Sequence, residues 1–242
     1  GVAGTGFGTV VQSLNVIREL VYERKECTAR ELYDAIMNDW NGYEELREKA
    51  RRTVAYYGNG DEKADETARW VASVWCATVN ACTGPRGPWK AGIWSFARHV
   101  GDGLITNATP DGRKFGDPLS DGISPVQGTD KNGPTALLRS VATIDHKACR
   151  NGTLLNMRFH PTALNSDKDV EKLGHMIRTF FKMGGMHVQL NIISTEVLKK
   201  AKINPEPYKN LVVRVAGYSA YFTELHPRLQ DEVIRRTEIM NL

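Results

Sequence analysis

Three glycines in five residues, Gly4-Thr-Gly-Phe-Gly8, stand just before a helical pattern, where a glycine-rich loop would cradle a pyrophosphate. The context does not fit. No strand precedes them, and the third glycine comes one residue early for G-x-G-x-x-G, so a backbone turn is the better reading. No Walker sequence is present, which removes kinase and GTPase chemistry. The histidines are His99, His146, His160, His175, His187 and His226. They form no H-E-x-x-H and no helical pair beside a carboxylate, so each reads as a surface or hydrogen-bonded core residue rather than a metal ligand. Cys27, Cys76, Cys82 and Cys149 show no C-x-x-C, and Cys76 and Cys82 point to different faces of one helix. No serine lies in G-x-S-x-G, and Asp145-His146 has no nucleophile placed beside it. What remains is Leu211-Val-Val-Arg-Val-Ala-Gly-Tyr-Ser-Ala-Tyr-Phe222, where a buried-looking strand runs into Gly217 and aromatics follow at once. Taken alone, a glycine at a strand end is a turn device that supplies a positive φ.

The elements that must position these residues follow from patterning. The 242 residues carry 32 Lys+Arg against 28 Asp+Glu, interspersed rather than gathered into a stripe, which gives no support for nucleic acid as a partner. With 41% hydrophobic and 25% charged residues, the composition is that of a folded globular chain and excludes disorder. No apolar run reaches the roughly 20 residues of a membrane helix, and no signal peptide opens the chain. The cysteine usage suits a reducing cytosol. The absence of an initiator methionine suggests a fragment or a processed chain. Leu14, Ile17 and Val21 predict a helix from Thr9, and Thr28-Ala-Arg-Glu31 is a capping box for the next. Residues 44–54 form a charged amphipathic segment. Asp61 precedes a helix over 62–81 with Ala64, Ala68, Val71, Trp75 and Val79 on one face.

Residues 83–133 hold many of the glycines and prolines and little periodicity, and they read as long ordered loops of the kind that carry function. A strand–helix alternation then returns. Helices are expected over 135–141, 166–183, 195–201 and 226–237, and strands over 153–159, 186–193 and 211–215. That order favours an α/β fold with mostly parallel strands.

The string closing on Arg214-Val-Ala-Gly-Tyr218 resembles the R-V-x-G-Y signature of the glycyl radical enzymes. Thr109-Pro-Asp-Gly-Arg113, Leu119-Ser-Asp-Gly-Ile-Ser124, Lys131-Asn-Gly-Pro-Thr135, Gly152-Thr-Leu-Leu-Asn156 and His187-Val-Gln-Leu-Asn191 resemble blocks that precede it in that family. Ser219-Ala220 and Ser120 to Ser124 look more like the eliminase and decarboxylase branch than pyruvate formate-lyase itself. The chemistry explains the residue type. A backbone Cα that has lost a hydrogen is planar and shares its electron with the flanking amide and carbonyl, and glycine relaxes most fully to that geometry.

The resemblance implies the C-terminal part of a ten-stranded α/β barrel, built from two antiparallel five-stranded parallel half-barrels with outer helices. Residues 1–133 would be a helical, loop-rich barrel region, and 134–242 the glycyl radical domain with its radical loop at 214–222. Gly217 would sit at a loop tip inside the barrel, shielded from dioxygen. It would store the radical and pass it to a cysteine for radical elimination, by dehydration or C–N or C–S cleavage of a small polar substrate. An arylacetate-type decarboxylase and a freestanding radical-bearing repair subunit are the alternatives, and a binding domain in which Gly217 is only a turn is a third. None of the four cysteines lies in the family's Gly-Cys-Val/Ile-Glu context. The chain therefore looks like the C-terminal third of such an enzyme, with the cysteine and glutamate loop supplied by the rest. The implied partner is a radical-SAM activating enzyme carrying an iron–sulfur cluster and S-adenosylmethionine, recognising Arg214, Val215, Tyr218 and Ser219 once residues 216–242 swing out. Arg158 would clamp an anionic substrate group, with Asn156 and Phe159 on the same strand, although alternation puts Arg158 and Phe159 on opposite faces. The cofactor is the glycyl radical alone, with no bound metal. A homodimer in the cytoplasm, or within a bacterial microcompartment, is expected.

Overall fold

The computed structural model describes residues 1–241. In it the helices are α1 (Phe7–Val16), α2 (Ala29–Met37), α3 (Glu44–Arg52), α4 (Glu62–Asn80), α5 (Arg98–Gly103), α6 (Gly133–Ala142), α7 (Asp167–Lys182), α8 (Thr195–Ile203) and α9 (Pro227–Arg235). The strands are β1 (Val2–Gly4), β2 (Thr83–Gly84), β3 (Gly87–Pro88), β4 (Ala91–Ile93), β5 (Asn156–Phe159), β6 (Gln189–Ile192), β7 (Val212–Arg214), β8 (Ser219–Tyr221) and β9 (Glu238–Ile239).

Caps written into the sequence set the helix starts. At α2 the Glu31 N–H donates to the Thr28 hydroxyl at 3.1 Å, and the Glu31 carboxylate accepts from the Thr28 N–H at 2.7 Å. Asp61, Ser166 and Ser194 accept from N3 amides at α4, α7 and α8. The first expected helix is α-helical only to Val16 and continues as a π-helical stretch, Ile17–Glu23, that keeps Leu20 fully buried. Helix α4 buries Ala64, Ala68, Ala72, Cys76 and Val79, with α1 as its main neighbour. Val71 and Trp75, expected in that stripe, are half-buried at its edge.

The strands give an α/β arrangement. β1 pairs parallel with β4, and β5 is the centre of a parallel sheet ordered β6-β5-β9. A parallel bridge between Ile93 and Thr153 joins the two groups. The expected strand over 153–159 is thus regular only at β5, because its first residues bridge to β4 before the ladder with β6 begins. The third expected strand, 211–215, differs in kind. Its β7 portion pairs antiparallel with β8, in the register Val212↔Tyr221, Val213↔Ala220 and Arg214↔Ser219. A two-residue turn can reverse the chain only into an antiparallel neighbour. Among the described residues the parallel strands are β1, β4, β5, β6 and β9, and these do not form ten strands.

Residues 83–133 are ordered largely by side-chain anchors, as the loop reading expected. The buried Arg113 guanidinium donates to the carbonyls of Thr106 at 3.0 Å, Lys114 at 3.1 Å and Asp117 at 2.6 Å. Thr9 and Ser120 exchange reciprocal bonds, each backbone N–H donating to the other hydroxyl at 2.9 Å, and the Tyr57 hydroxyl donates to the Ile123 carbonyl at 3.0 Å. The apolar cluster beneath the β7–β8 hairpin comprises Leu198, Val213, Val215, Ala216, Phe222 and Val233, all fully or almost fully buried. It seats the hairpin on α8 and α9. No helix among the described residues is long and apolar enough to cross a membrane.

Candidate active site

The Val215 N–H donates to the Tyr218 carbonyl at 2.9 Å and closes a tight turn on Ala216 and Gly217. Gly217 has φ +86°, a left-handed conformation that glycine adopts at no steric cost. A Cβ added there would meet Leu154 Cδ1 and Phe96 Cε1 at 3.4 Å, ordinary contact distances. The dihedral, not crowding, is what demands glycine. Val215 and Ala216 are buried, whereas Gly217, Tyr218 and Ser219 are exposed. The enclosure expected around Gly217 is therefore not provided by the described residues. They wall it only on the side of Phe96, Leu154 and Gln189, and its other side is open.

Two carboxamides on β6 hold this turn. Residues two apart on a strand share a face, so Asn191 reaches the end of β7 and Gln189 the turn that follows it. Asn191 brackets Arg214, accepting from its N–H at 2.7 Å and donating to its carbonyl at 2.7 Å. Gln189 accepts from the Gly217 N–H at 3.2 Å and donates to the Val215 carbonyl at 3.5 Å. Together they imitate the donor–acceptor edge of a paired strand. Sequence reasoning noted the block from His187 to Asn191 but gave these two residues no role; the polar Gln-x-Asn alternation in an otherwise apolar strand was the available signal.

Facing Gly217, Phe96 and Ala97 have φ +43° and +67°, two successive non-glycine residues in the left-handed region. Such backbone costs free energy and persists only where surrounding structure imposes it. Phe96 packs edge-on against Trp94 at 4.8 Å, and the Trp94 indole donates to the Asn151 carbonyl at 3.0 Å.

Behind the hairpin lies a buried charged cluster that sequence reasoning missed. Glu232 and Arg236 are joined by two bonds, at 3.0 and 2.8 Å. His99 Nε2 lies 3.4 Å from Glu232, and Arg236 lies 3.5 Å from Asp121. Ser95 donates to Asp121 at 2.5 Å, and Asn156 donates to the other Asp121 oxygen. Burial opposes charge on Glu232, but Arg236 and His99 outweigh it and hold the carboxyl well below the usual carboxylate range. Burial likewise opposes charge on His99, yet Glu232 and then Asp121 raise it above 6.5. His99, Asp121 and Glu232 are close enough to hold a metal ion, and the Arg236 guanidinium, 2.8 Å from Glu232 and 3.5 Å from Asp121, already places one positive charge among them. The cluster ties the chain end to α5 and to the loop carrying Asp121.

The expected site residues separate into two groups. Gly217, Arg214, Val215, Tyr218 and Ser219 lie together on the hairpin. Arg214 is half-buried, and its Nη1 donates to Ser219 Oγ at 3.1 Å, with no carboxylate pairing it among the described residues. Val215 is fully buried and faces no partner in this state. Asn156 belongs to the network behind Gly217, since it accepts from Gln189 Nε2. Arg158 is 2% exposed, and its Nη2 donates to the Ile234 and Arg236 carbonyls, so it anchors the end of α9. Its Nε and Nη1 are without partners, and it lines a cavity of about 30 Å³ with Asp121, Asn156, Glu232 and Arg236, room for little more than water. Phe159 is fully buried in the main core on the opposite face.

Comparison with known proteins completes the picture. A family model described as glycine radical matches residues 119–223, and one described as pyruvate formate lyase-like matches residues 1–103. Trans-4-hydroxy-L-proline dehydratase of Clostridioides difficile is 38% identical over 241 residues, which cover 98% of this chain and 30% of the relative. Isethionate sulfite-lyase of Bilophila wadsworthia is 41% identical over 237 residues, covering 96% of this chain and 28% of that protein. The glycerol-bound B12-independent glycerol dehydratase from Clostridium butyricum superposes with a TM-score of 0.95 at 40% identity, over 98% of this chain and 30% of that one. The chain thus spans about 30% of the length of the relatives it matches.

Proposed function

This chain belongs to the glycyl radical enzymes, and from that premise we propose that it is the radical-storing part of a lyase acting on a small polar substrate. The observation that carries the proposal is Gly217 itself: a glycine at a hairpin tip, with an open Cα and fixed neighbours, inside the stretch matched by the glycine radical family. The activating partner's iron–sulfur cluster and S-adenosylmethionine supply the means of removing one Cα hydrogen. The open side of the tip is where that partner would engage Arg214, Tyr218 and Ser219. Val215 becomes reachable only if the segment after Ala216 moves, as local opening allows.

In the working enzyme the open side would face a loop bearing the catalytic cysteine and glutamate, within a ten-stranded barrel completed by sequence outside these 242 residues. A hydrogen atom then passes from the cysteine thiol to the Gly217 Cα. The sulfur takes a hydrogen from the substrate, and water or another leaving group departs. Neither Cys76 nor Cys149 suits that thiol: both are buried, with their Sγ atoms 3.4 Å apart. Elimination is favoured over decarboxylation because the relatives described above are named as dehydratases and a sulfite-lyase. Anaerobic activation should give an electron paramagnetic resonance doublet, split by the one remaining α-hydrogen. Growth on Cα-deuterated glycine should collapse that doublet. A splitting that survives deuteration would place the electron elsewhere.

A further inference from the structure

Resting on that reading of Gly217, we propose that Gln189 is a positioning residue for the radical and the first link of an amide relay that ends on the Asp121 carboxylate. The links run in one direction. The Gly217 N–H donates to Gln189 Oε1 at 3.2 Å, Gln189 Nε2 donates to Asn156 Oδ1, and Asn156 Nδ2 donates to Asp121 Oδ2. Gln189 is 6% exposed and Asp121 2%, so bulk water does little to damp the chain. Asp121 is held in place by Ser95 at 2.5 Å and by the Arg236 guanidinium.

Each carboxamide donates through its nitrogen toward the anion and accepts through its oxygen from the glycine side. Donation to a carboxylate draws the amide dipole into line and leaves its oxygen a better acceptor, so polarisation passes from bond to bond. At the far end the Gly217 N–H is polarised and electron density rises on its nitrogen. That nitrogen is one of the two groups with which a Cα radical shares its electron. The relay therefore favours the radical electronically, while the Gln189 bonds to Gly217 and Val215 fix the peptide planes on either side of Ala216.

The test is pulsed electron–nuclear double resonance on anaerobically activated protein labelled with 15N-glycine. Gln189→Ala removes the hydrogen bond to the Gly217 N–H and should lower the amide-nitrogen coupling of the radical. Asp121→Asn removes the anion but not the glycine's own hydrogen bond, and it should shift the coupling the same way by less. Gln189→Glu places an anion directly on the Gly217 N–H and should raise it. Asn191→Ala loosens Arg214 in the same turn without removing the Gly217 hydrogen bond, and should change radical yield more than the coupling. A merely structural role for Gln189 would move radical yield in both alanine variants alike and would not reverse sign in Gln189→Glu. If Gln189→Ala holds no radical, Asp121→Asn decides. Couplings identical to the unsubstituted protein in Gln189→Glu and Asp121→Asn overturn the relay and leave the radical assignment intact. Absence of a doublet in the unsubstituted protein overturns the radical assignment instead.

Discussion

Two glycine strings in this chain look alike on paper and are held in opposite ways. Gly4, Gly6 and Gly8 sit against hard walls. A Cβ on Gly8 would lie 2.5 Å from the Ser124 carbonyl oxygen, and on Gly6 and Gly4 it would lie 3.2 Å from Leu119 and Trp75. Gly217 has ordinary space beside it and an open face beyond. Packing alone explains Gly8, whereas Gly6 also has a left-handed φ of +80°. At Gly217 only the turn dihedral asks for glycine, and a bare, uncrowded Cα gripped by side-chain amides is what backbone radical chemistry needs. Close packing marks Gly8 as a spacer, and Gly217 combines an uncrowded Cα with a fixed hydrogen bond to Gln189.

The largest stability effect should come from the support beneath the second region. Glu232→Ala leaves Arg236 and His99 buried without their shared anion and should cost about 3–5 kcal/mol. Hydrogen exchange should then speed first at residues 212–221, with the amides of Thr9 and Ser120 still protected. Equal loosening of both regions would dissolve the distinction drawn between them. The same cluster sets a pH window. Glu232 is depressed, so its contribution holds above the ordinary carboxylate range and fades as pH falls through its lowered value. His99 is raised, so its contribution is complete below 6.5 and is lost as pH rises through its higher folded value. Because Glu232 is the main cause of that rise, Glu232→Ala should remove the alkaline loss seen in a stability–pH profile.

A smaller pair of effects sharpens the contrast. Gly8→Ala must push against backbone and should cost about 3 kcal/mol, the upper end for overpacking. Gly217→Ala pays only the left-handed dihedral and should cost about 1–2 kcal/mol in urea unfolding. The reverse ranking would mean that Gly217, too, is a packing glycine.

Much of this was legible in the sequence, and for identifiable reasons. Thr28, Asp61 and Ser166 announce their helices because capping is local chemistry. Gly217 stands out because a turn and a reactive carbon both need the same residue in the same string. The grip of Gln189 and Asn191 was not legible, since it depends on which strand packs beside β6, and nothing within His187 to Asn191 says so. Arg158 misled for the same reason. Its type and strand placement suit an anion clamp, but α9, some 70 residues later in the chain, ends over it and offers carbonyls instead. The buried Glu232–Arg236 pair was not legible, because its burial depends on His99 of α5 and on Asp121, both distant in sequence. Shielding of Gly217 was expected of a complete barrel, and the described residues wall it on one side only.

An unpaired electron on a backbone carbon makes one position uniquely fragile to dioxygen, which adds there and severs the chain. Mass spectrometry of anaerobically activated protein after brief exposure to air therefore locates the electron by residue. The expected result is a single break at the Gly217 Cα that releases the segment from Tyr218 onward with the oxidised Gly217 remnant on its N-terminus, and Gly217→Ala left whole after the same treatment. An intact chain in the activated, unsubstituted protein, or a break at any other residue, would contradict the assignment.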